Sequence, residues 1–523
     1  MKFMTPLPID NLIKLAQTAL ETDDFPSAHK HLLEVLKQDR GCAEAFFLLA
    51  MIPLSTGNID KAIELINRAI KISPDNSKYI VYLAKCFTLK GDVTNGLLWA
   101  ERLYNVTLTS AILYDTLGVV FSRIGLHEKA KEKFSQAIHL DDYQASFYFN
   151  LASSLKYLGD FNGARNAYEK SISLEPNFCK AHTALTSLGG ITQENNHITR
   201  LVQLRENANN HEDFLYLSHA LATEYEALND YTKAFTALDK AKKRRIKEVN
   251  YDFSEDEKMF SAIKETFSTP ELQFQPGHHS DQAIFVVGMP RTGTTLVERI
   301  LSGHHKVNSV GELHSFELLL KEAANLPHRK LNQKEDLLKA AQCDLTSVGE
   351  KYIKSTLAIS GECEKFVDKL PLNILNVGFI LKALPKSKIV CLERNPLDTI
   401  VSNYRQIFSL NYDYCYYSND LTSTAKFYAH FIELMKFWQK QFPDNFMITN
   451  YEKLVNDPEH EAKKIMKFCQ LDWQKQCLNI QTNPSPVSTA SAVQVRQPIS
   501  NKSIGNWKKY DFCLDEVKKI ITL

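Results

Sequence analysis

The chain has 523 residues, too many for one ordinary hydrophobic core, so two or three domains are expected. Its composition, 44% hydrophobic and 24% charged, is that of a soluble globular protein. The 62 Lys and Arg balance 61 Asp and Glu, and this net charge of +1 argues against a general nucleic-acid or membrane-surface binder while leaving room for a local basic pocket.

In chain order, Asp10 and Lys14 interrupt the apolar residues of the N-terminus, so no signal peptide is read there. Nowhere do about 18 apolar residues run together, which predicts no membrane span and a cytoplasmic location. Small residues then recur every 34 positions: Ala28, Ala62, Gly96, Ala130 and Ala164. Leu49, Leu83, Leu117 and Leu151 keep the same step, each followed by a small residue. So do Leu32, Ile66, Ala100, Phe134 and Tyr168. Thr56-Gly57-Asn58, Lys90-Gly91-Asp92 and Leu158-Gly159-Asp160 are turn signals between paired helices, and Pro74 and Pro176 stand where second helices should stop. This pattern resembles the tetratricopeptide repeat over about residues 9–178, with a looser continuation to about 247. The resemblance implies an all-α solenoid, since such units bury their apolar faces only by stacking. Its concave face holds a peptide or partner protein, or else the array is a self-packing scaffold. Lys242-Lys243-Arg244-Arg245 reads as a solvated helix end, and the polar residues around Gln275-Pro276-Gly277-His278-His279 read as a linker. The expected domains are a repeat array over 1–250, a linker over 251–280 and a second domain over 281–523.

Residues 283–287, Ala-Ile-Phe-Val-Val, predict a buried parallel strand. A tight loop, Gly288-Met-Pro-Arg291-Thr-Gly293, leads into helical spacing at Leu296, Val297, Ile300 and Leu301. Strand, loop and helix in this order present backbone N–H groups and a helix N-terminus to a phosphate-like anion. Gly288 and Gly293 keep the spacing of a nucleotide-triphosphate loop, but Thr294 stands where that loop needs Lys, and the cation lies inside the loop at Arg291. A second apolar strand, Lys388 to Leu392, runs into Glu393-Arg394-Asn395-Pro396, with Ser402 eight residues beyond Arg394.

Pro290-Arg291-Thr292-Gly293-Thr294-Thr295-Leu296 resembles the 5′-phosphosulfate loop of the sulfotransferases, in the Pro-Arg form of the tyrosylprotein sulfotransferases. Arg394 with Ser402 matches the family's 3′-phosphate motif. Asn450-Tyr451-Glu452-Lys453-Leu454 resembles its Tyr-Glu-x-Leu segment near the nucleotide. Thr489 to Ile499, followed by Gly505-Asn506-Trp507-Lys508, resembles the C-terminal closing segment of bacterial repeat-bearing sulfotransferases, and Ser491 matches a cofactor-contacting serine. Asn506 departs from the pattern, in which a basic residue precedes that Trp; Lys508 is the nearby substitute. The chain is thereby identified as similar to the tetratricopeptide-repeat sulfotransferases of bacterial type. The fold implied is multidomain, an all-α solenoid followed by a P-loop-like α/β sulfotransferase domain with a central parallel sheet.

The activity implied is transfer of a sulfuryl group from 3′-phosphoadenylyl sulfate (PAPS) to an acceptor hydroxyl. Arg291, Thr292, Gly293, Thr294, Thr295, Arg394, Ser402, Tyr451 and Ser491 are the expected donor-binding residues. No metal is expected, because cationic side chains and N–H dipoles neutralise the leaving group's charge. A general base must take the acceptor's proton, and His304, His305, Glu312 and His314 are candidates by position. Gly311-Glu312 matches the Gly-Glu of the tyrosylprotein enzymes, whose glutamate is the base; this assigns catalysis to Glu312 with Arg291 and Lys369. His304 and His305 follow a helix end and are expected to cap it or face solvent. The acceptor is a protein tyrosine, a peptide, a glycan or a small molecule, and a protein or peptide acceptor would engage the repeats. Leu313-His314-Ser315-Phe316 is not the basic stretch that acidic peptides need. Two rival readings stand: a P-loop-like kinase or NTPase with Glu393 as a strand-end ligand, and a repeat scaffold with an inactive transferase domain. Ten cysteines without a C-x-x-C pair, among them Cys363, Cys391, Cys415, Cys469, Cys477 and Cys513, read as buried thiols of a reduced protein rather than a zinc site.

Overall fold

The 34-residue step of small residues requires helices that approach closely at those points, and the computed structural model forms them. It describes residues 7–269, 276–326, 330–410, 413–483, 485–489 and 491–521; Gln275 of the expected linker and Ala490 of the closing segment lie outside them. The chain divides into two compact units, Met1–Ser154 and Leu155–Leu523.

The first unit is a stack of helix pairs: Ile9–Glu21 with Phe25–Gln38, Ala43–Ser55 with Ile59–Ile72, Ser77–Lys90 with Val93–Glu101, and Ala111–Ile124 with His127–Leu140. Ala28, Ala62 and Ala130 are completely buried, as are Leu83 and Leu117. Gly118 shows why the neighbouring position must be small, since a side-chain carbon there would fall 2.6 Å from the Phe134 ring. Gly57 and Gly91 turn the chain with φ of +84°, where a Cβ is strained. Asn58 and Asp92 then accept hydrogen bonds from the N–H groups of Lys61 and Asn95, starting the second helices.

The second unit opens with the last turn of the helix Ala145–Leu158 and continues through Phe161–Leu174, Cys179–Thr186, Ile198–Glu206, His211–Ala227 and Tyr231–Val249. These helices group with the α/β sheet in the compact unit Leu155–Leu523. Lys242 is buried, not solvated as its basic run suggested; its Nζ donates to the carbonyls of Gln406 (3.0 Å) and Ser418 (2.8 Å). Arg245 donates to the carbonyl of Leu410 at 2.8 Å, whereas Lys243 stays exposed. Where a linker was expected, Phe253–Ser268 is a helix, and its Met259, Phe260 and Ile263 are buried in the main core.

Five parallel strands form the sheet: β1 (Ala283–Gly288), β2 (Val307–Gly311), β3 (Lys365–Asp368), β4 (Lys388–Glu393) and β5 (Phe446–Asn450), in the order β2-β3-β1-β4-β5. β1 is buried throughout because both faces are covered. Ala283, Phe285 and Val287 join one core, while Ile284 and Val286 join another with Leu296, Val297 and Ile300 of the helix Thr294–Leu301. All ten cysteines are free thiols, six of them buried. Among the described residues no helix is long and apolar enough to cross a membrane.

Candidate active site

β1 and β4 lie side by side, and the chain leaves them in opposite directions, toward β3 and β2 on one side and toward β5 on the other. Ligands of parallel α/β sheets gather at the carboxyl ends of strands at such a reversal. β1 ends at Gly288, φ +153°, where an added carbon would lie 3.1 Å from the Leu392 carbonyl of β4. Arg291 follows in the left-handed region, φ +67°, a position that strains a residue with a side chain. Gly293, φ +104°, lies against Tyr451: a side-chain carbon there would meet the ring at 2.5 Å. The helix Thr294–Leu301 begins at this point, offering unpaired N–H groups and the positive end of its dipole.

A cavity of about 680 Å³ opens over these strand ends, a size suited to a nucleotide-sized ligand. Arg291, Gly293, Thr294, Thr295, Glu312, Arg394, Tyr451 and Ser491 line it, all of them predicted from sequence. Three other predicted residues stand behind the wall. Thr292 is fully buried and spends its hydroxyl on the Met289 carbonyl at 2.7 Å, holding the loop's shape. Ser402 accepts a bond from Arg291 Nε at 3.3 Å. Lys369, 1% exposed, sits beneath Glu312.

The charges in the cavity are unbalanced. Arg291 donates to Ser491 Oγ at 2.7 Å and Gln494 Oε1 at 3.3 Å. Arg394 donates to the carbonyls of Arg291 (3.0 Å) and Ser503 (2.7 Å), and its guanidinium stacks 4.5 Å over the Tyr451 ring. All of these partners are neutral, and neither arginine has a carboxylate partner among the described residues. Burial, and then the Arg394 charge, pull Arg291 down to about 10, so it remains cationic at neutral pH. Arg394 is not paired with Asp398 among the described residues; that carboxylate accepts the N–H groups of Gly505 (2.7 Å) and Trp507 (3.0 Å). The buried Nε of Arg394 has no partner among the described residues. That orphan donor and the bare backbone at Gly293 fit a ligand bearing phosphate groups.

On the far wall a buried lysine is shared by carboxylates. Lys369 Nζ pairs closely with Glu312 Oε1 and lies 3.8 Å from Glu298 Oε2. Ser309 Oγ donates to Glu298 Oε1 at 2.5 Å. Burial lowers the affinity of Lys369 for its proton, but the charge of Glu312 and then of Glu298 outweighs it, and the net shift is upward. Asp368, bonded to the Tyr352 hydroxyl at 2.6 Å, is pushed up to about 7 by burial. His304 is not solvent-facing; it is buried with Nε2 3.1 Å from Asp472 Oδ1. His314 is exposed at the start of the helix Ser315–Ala323.

Sequence reasoning missed several lining residues. Lys156 and Tyr157, at the end of the helix Ala145–Leu158, reach the cavity, but in the repeat register they are ordinary helix-end positions. Phe408 lies on an irregular segment that carried no motif. Lys502 lines the cavity, whereas Lys508, the suggested substitute for a base at Asn506, does not; both are exposed. The basic residue was visible; only the fold tells which lysine lines the cavity.

Residues 283–475 match the model of the Sulfotransferase family, and residues 13–77 and 145–178 match Tetratricopeptide repeat models. An uncharacterized protein of Aquifex aeolicus (strain VF5) is 34% identical over 310 residues, 57% of this chain and 40% of that protein. The protein-tyrosine sulfotransferase of Drosophila melanogaster is 25% identical over 239 residues, 43% of this chain and 46% of that protein. Protein-tyrosine sulfotransferase 2 of Gallus gallus is 25% identical over 241 residues, 43% of this chain and 62% of that protein. The chain thus spans less than half the length of the first two relatives. It carries a tetratricopeptide-like all-α solenoid followed by an α/β domain of sulfotransferase-like fold, distantly similar to those enzymes.

Proposed function

We propose that this chain transfers a sulfuryl group from PAPS to an acceptor hydroxyl. The observation that carries the proposal is the pair of arginines, Arg291 and Arg394, at neighbouring strand ends around one cavity, without carboxylate partners among the described residues. A nucleotide with anionic groups at both its 5′ and 3′ positions meets both cations. When bound, PAPS supplies an activated sulfuryl group, and its transfer leaves 3′,5′-adenosine bisphosphate.

The residues divide the work. Arg291 and the N–H groups at Gly293, Thr294 and Thr295 hold the 5′ end, and Thr292 keeps their loop in shape. Arg394 reads the 3′-phosphate, Ser402 holds Arg291 from behind the wall, Lys502 adds charge on the 3′ side, and Tyr451 supports both Arg394 and Gly293. Ser491 orients Arg291. Glu312 takes the acceptor's proton on its carboxylate. Once neutral, Glu312 no longer holds Lys369, whose ammonium is free to meet the charge developing on the leaving oxygen, while Glu298 keeps it protonated. Tyr157, Phe408 and Lys156 form the acceptor side of the cavity.

The test is calorimetry with 3′,5′-adenosine bisphosphate against ATP with magnesium, followed by transfer of label from ³⁵S-labelled PAPS to components of a lysate. Binding of the bisphosphate and labelling of an acceptor are expected. Binding of ATP with magnesium in preference to the bisphosphate would turn the assignment to phosphoryl transfer.

A further inference from the structure

The segment 485–503 forms much of the cavity wall but has little regular structure of its own, only a short 3-10 turn at Gln494–Arg496 among its described residues. Its shape must come from what it is tied to. On one side it is tied to the phosphate loop and the helix that follows: Arg291 reaches Ser491 and Gln494, Arg394 reaches the Ser503 carbonyl, and Arg299 donates to the Ser485 carbonyl at 2.8 Å.

Its other attachment is the carbonyl end of the helix Ala145–Leu158. A helix leaves its last carbonyls without intrahelical donors. Here the chain reversal satisfies two of them: Asp160 N–H bonds to Leu155 O at 2.9 Å and Gly159 N–H to Lys156 O at 3.1 Å. The Tyr157 carbonyl takes its donors from 485–503 instead, the Val487 N–H at 3.1 Å and Arg496 Nη2 at 2.8 Å. A cation at the negative end of a helix is favourably placed. Gly159, φ +92°, makes the approach possible, since an added carbon would lie 2.6 Å from the centre of the Arg496 guanidinium. Val487, Ala492 and Val495 bury their side chains around Tyr157 and dry the joint.

We infer that Arg496 is a positioning residue for donor binding: it fastens the segment 485–503 to the Tyr157 carbonyl so that Ser491 and Gln494 meet Arg291. The end of a repeat-type helix is thereby part of the donor site. This rests on the reading of the cavity as a PAPS site. The fastening itself is a property of the free protein and can be measured without ligand.

The experiment uses the full chain with Arg496→Gln and Arg496→Lys. Two quantities are read: affinity for 3′,5′-adenosine bisphosphate by calorimetry, and amide hydrogen exchange across 485–503 without ligand. Arg496→Gln is expected to weaken bisphosphate binding about tenfold and to speed exchange at Val487 by a similar factor, as loss of one charge-assisted hydrogen bond implies. Arg496→Lys keeps a charged donor and is expected to recover most of both; a far-ultraviolet spectrum equal to wild type separates this from general unfolding. Unchanged affinity and unchanged Val487 exchange in Arg496→Gln would overturn the inference. A wild-type chain that binds no bisphosphate, but whose Val487 amide Arg496→Gln still exposes, would sink the PAPS reading and uphold the fastening.

Discussion

Burial, and then the charge of Arg394, pull Arg291 downward, and neither arginine has a carboxylate partner among the described residues. An uncompensated pair of this kind is stabilised when an anion arrives. If Arg394 reads the 3′-phosphate, Arg394→Ala weakens 3′,5′-adenosine bisphosphate roughly 10- to 150-fold and 5′-AMP far less; equal losses for the two in calorimetry would remove the assignment. The base is tested separately. Glu312→Gln keeps the shape of the side chain, loses its basicity, and leaves Lys369 with Glu298 as its charged neighbour. Release of bisphosphate from PAPS in the presence of an acceptor is expected to slow about 10²- to 10⁴-fold, with bisphosphate affinity nearly unchanged. His314→Asn, at an exposed position, is expected to cost much less; a dead His314 variant beside an active Glu312 variant would make the chemistry histidine-based. The residues of the loop after β1 that line the cavity were legible, because glycine spacing, a loop cation and a following helix constrain one another. That Thr292 and Ser402 serve the loop and Arg291 was not, since a hydroxyl in a motif reads alike whether it faces a ligand or a carbonyl.

Among the elements, the helix Tyr231–Val249 shows how a pattern misleads. Four consecutive basic residues ordinarily mark a solvated helix end, yet Lys242 is buried against the Gln406 and Ser418 carbonyls, beside a segment that lines the cavity. Each of those carbonyls loses its donor in Lys242→Met. The expected cost is about 1–3 kcal/mol, seen as a lower melting midpoint, whereas Lys243→Met, at an exposed site, is expected to be neutral. Equal melting for both would mean that the Lys242 bonds contribute nothing. The strands were readable for the opposite reason. β1 is covered on both faces, and its apolar run bounded by the Gly288 turn signal carries that burial in the sequence. The helix Phe253–Ser268 escaped notice because its buried residues are interspersed with Glu and Lys that face water.

At the scale of the whole chain, domain boundaries follow packing rather than repeat count. The unit Leu155–Leu523 has its own cores, and Lys242, the helix Phe253–Ser268 and Tyr157 all serve it. A chain beginning at residue 270 lacks all three and is expected to fail to fold, with no cooperative melt. One beginning at residue 143 keeps the whole helix Ala145–Leu158 and is expected to fold and to bind the bisphosphate about as well as the full chain. Each repeat needs only its neighbours for support, which is why the cut is tolerable there. Tight binding by the shorter chain would show that the repeat-type helices contribute nothing to the donor site.

The sequence by itself determined the periodic parts of this protein: the 34-residue repeat, the strand-loop-helix at 283–301, and the spacing of Arg394 to Ser402. These rest on short-range rules, helix and strand periods, glycine geometry and capping, which act between residues near in the chain. Tertiary structure alone decided which helices join the sheet, which lysine lines the cavity, and that the carbonyl of Tyr157 holds a segment more than three hundred residues away. Those outcomes depend on burial and on which orphan backbone groups find a donor, and neither is written in local spacing.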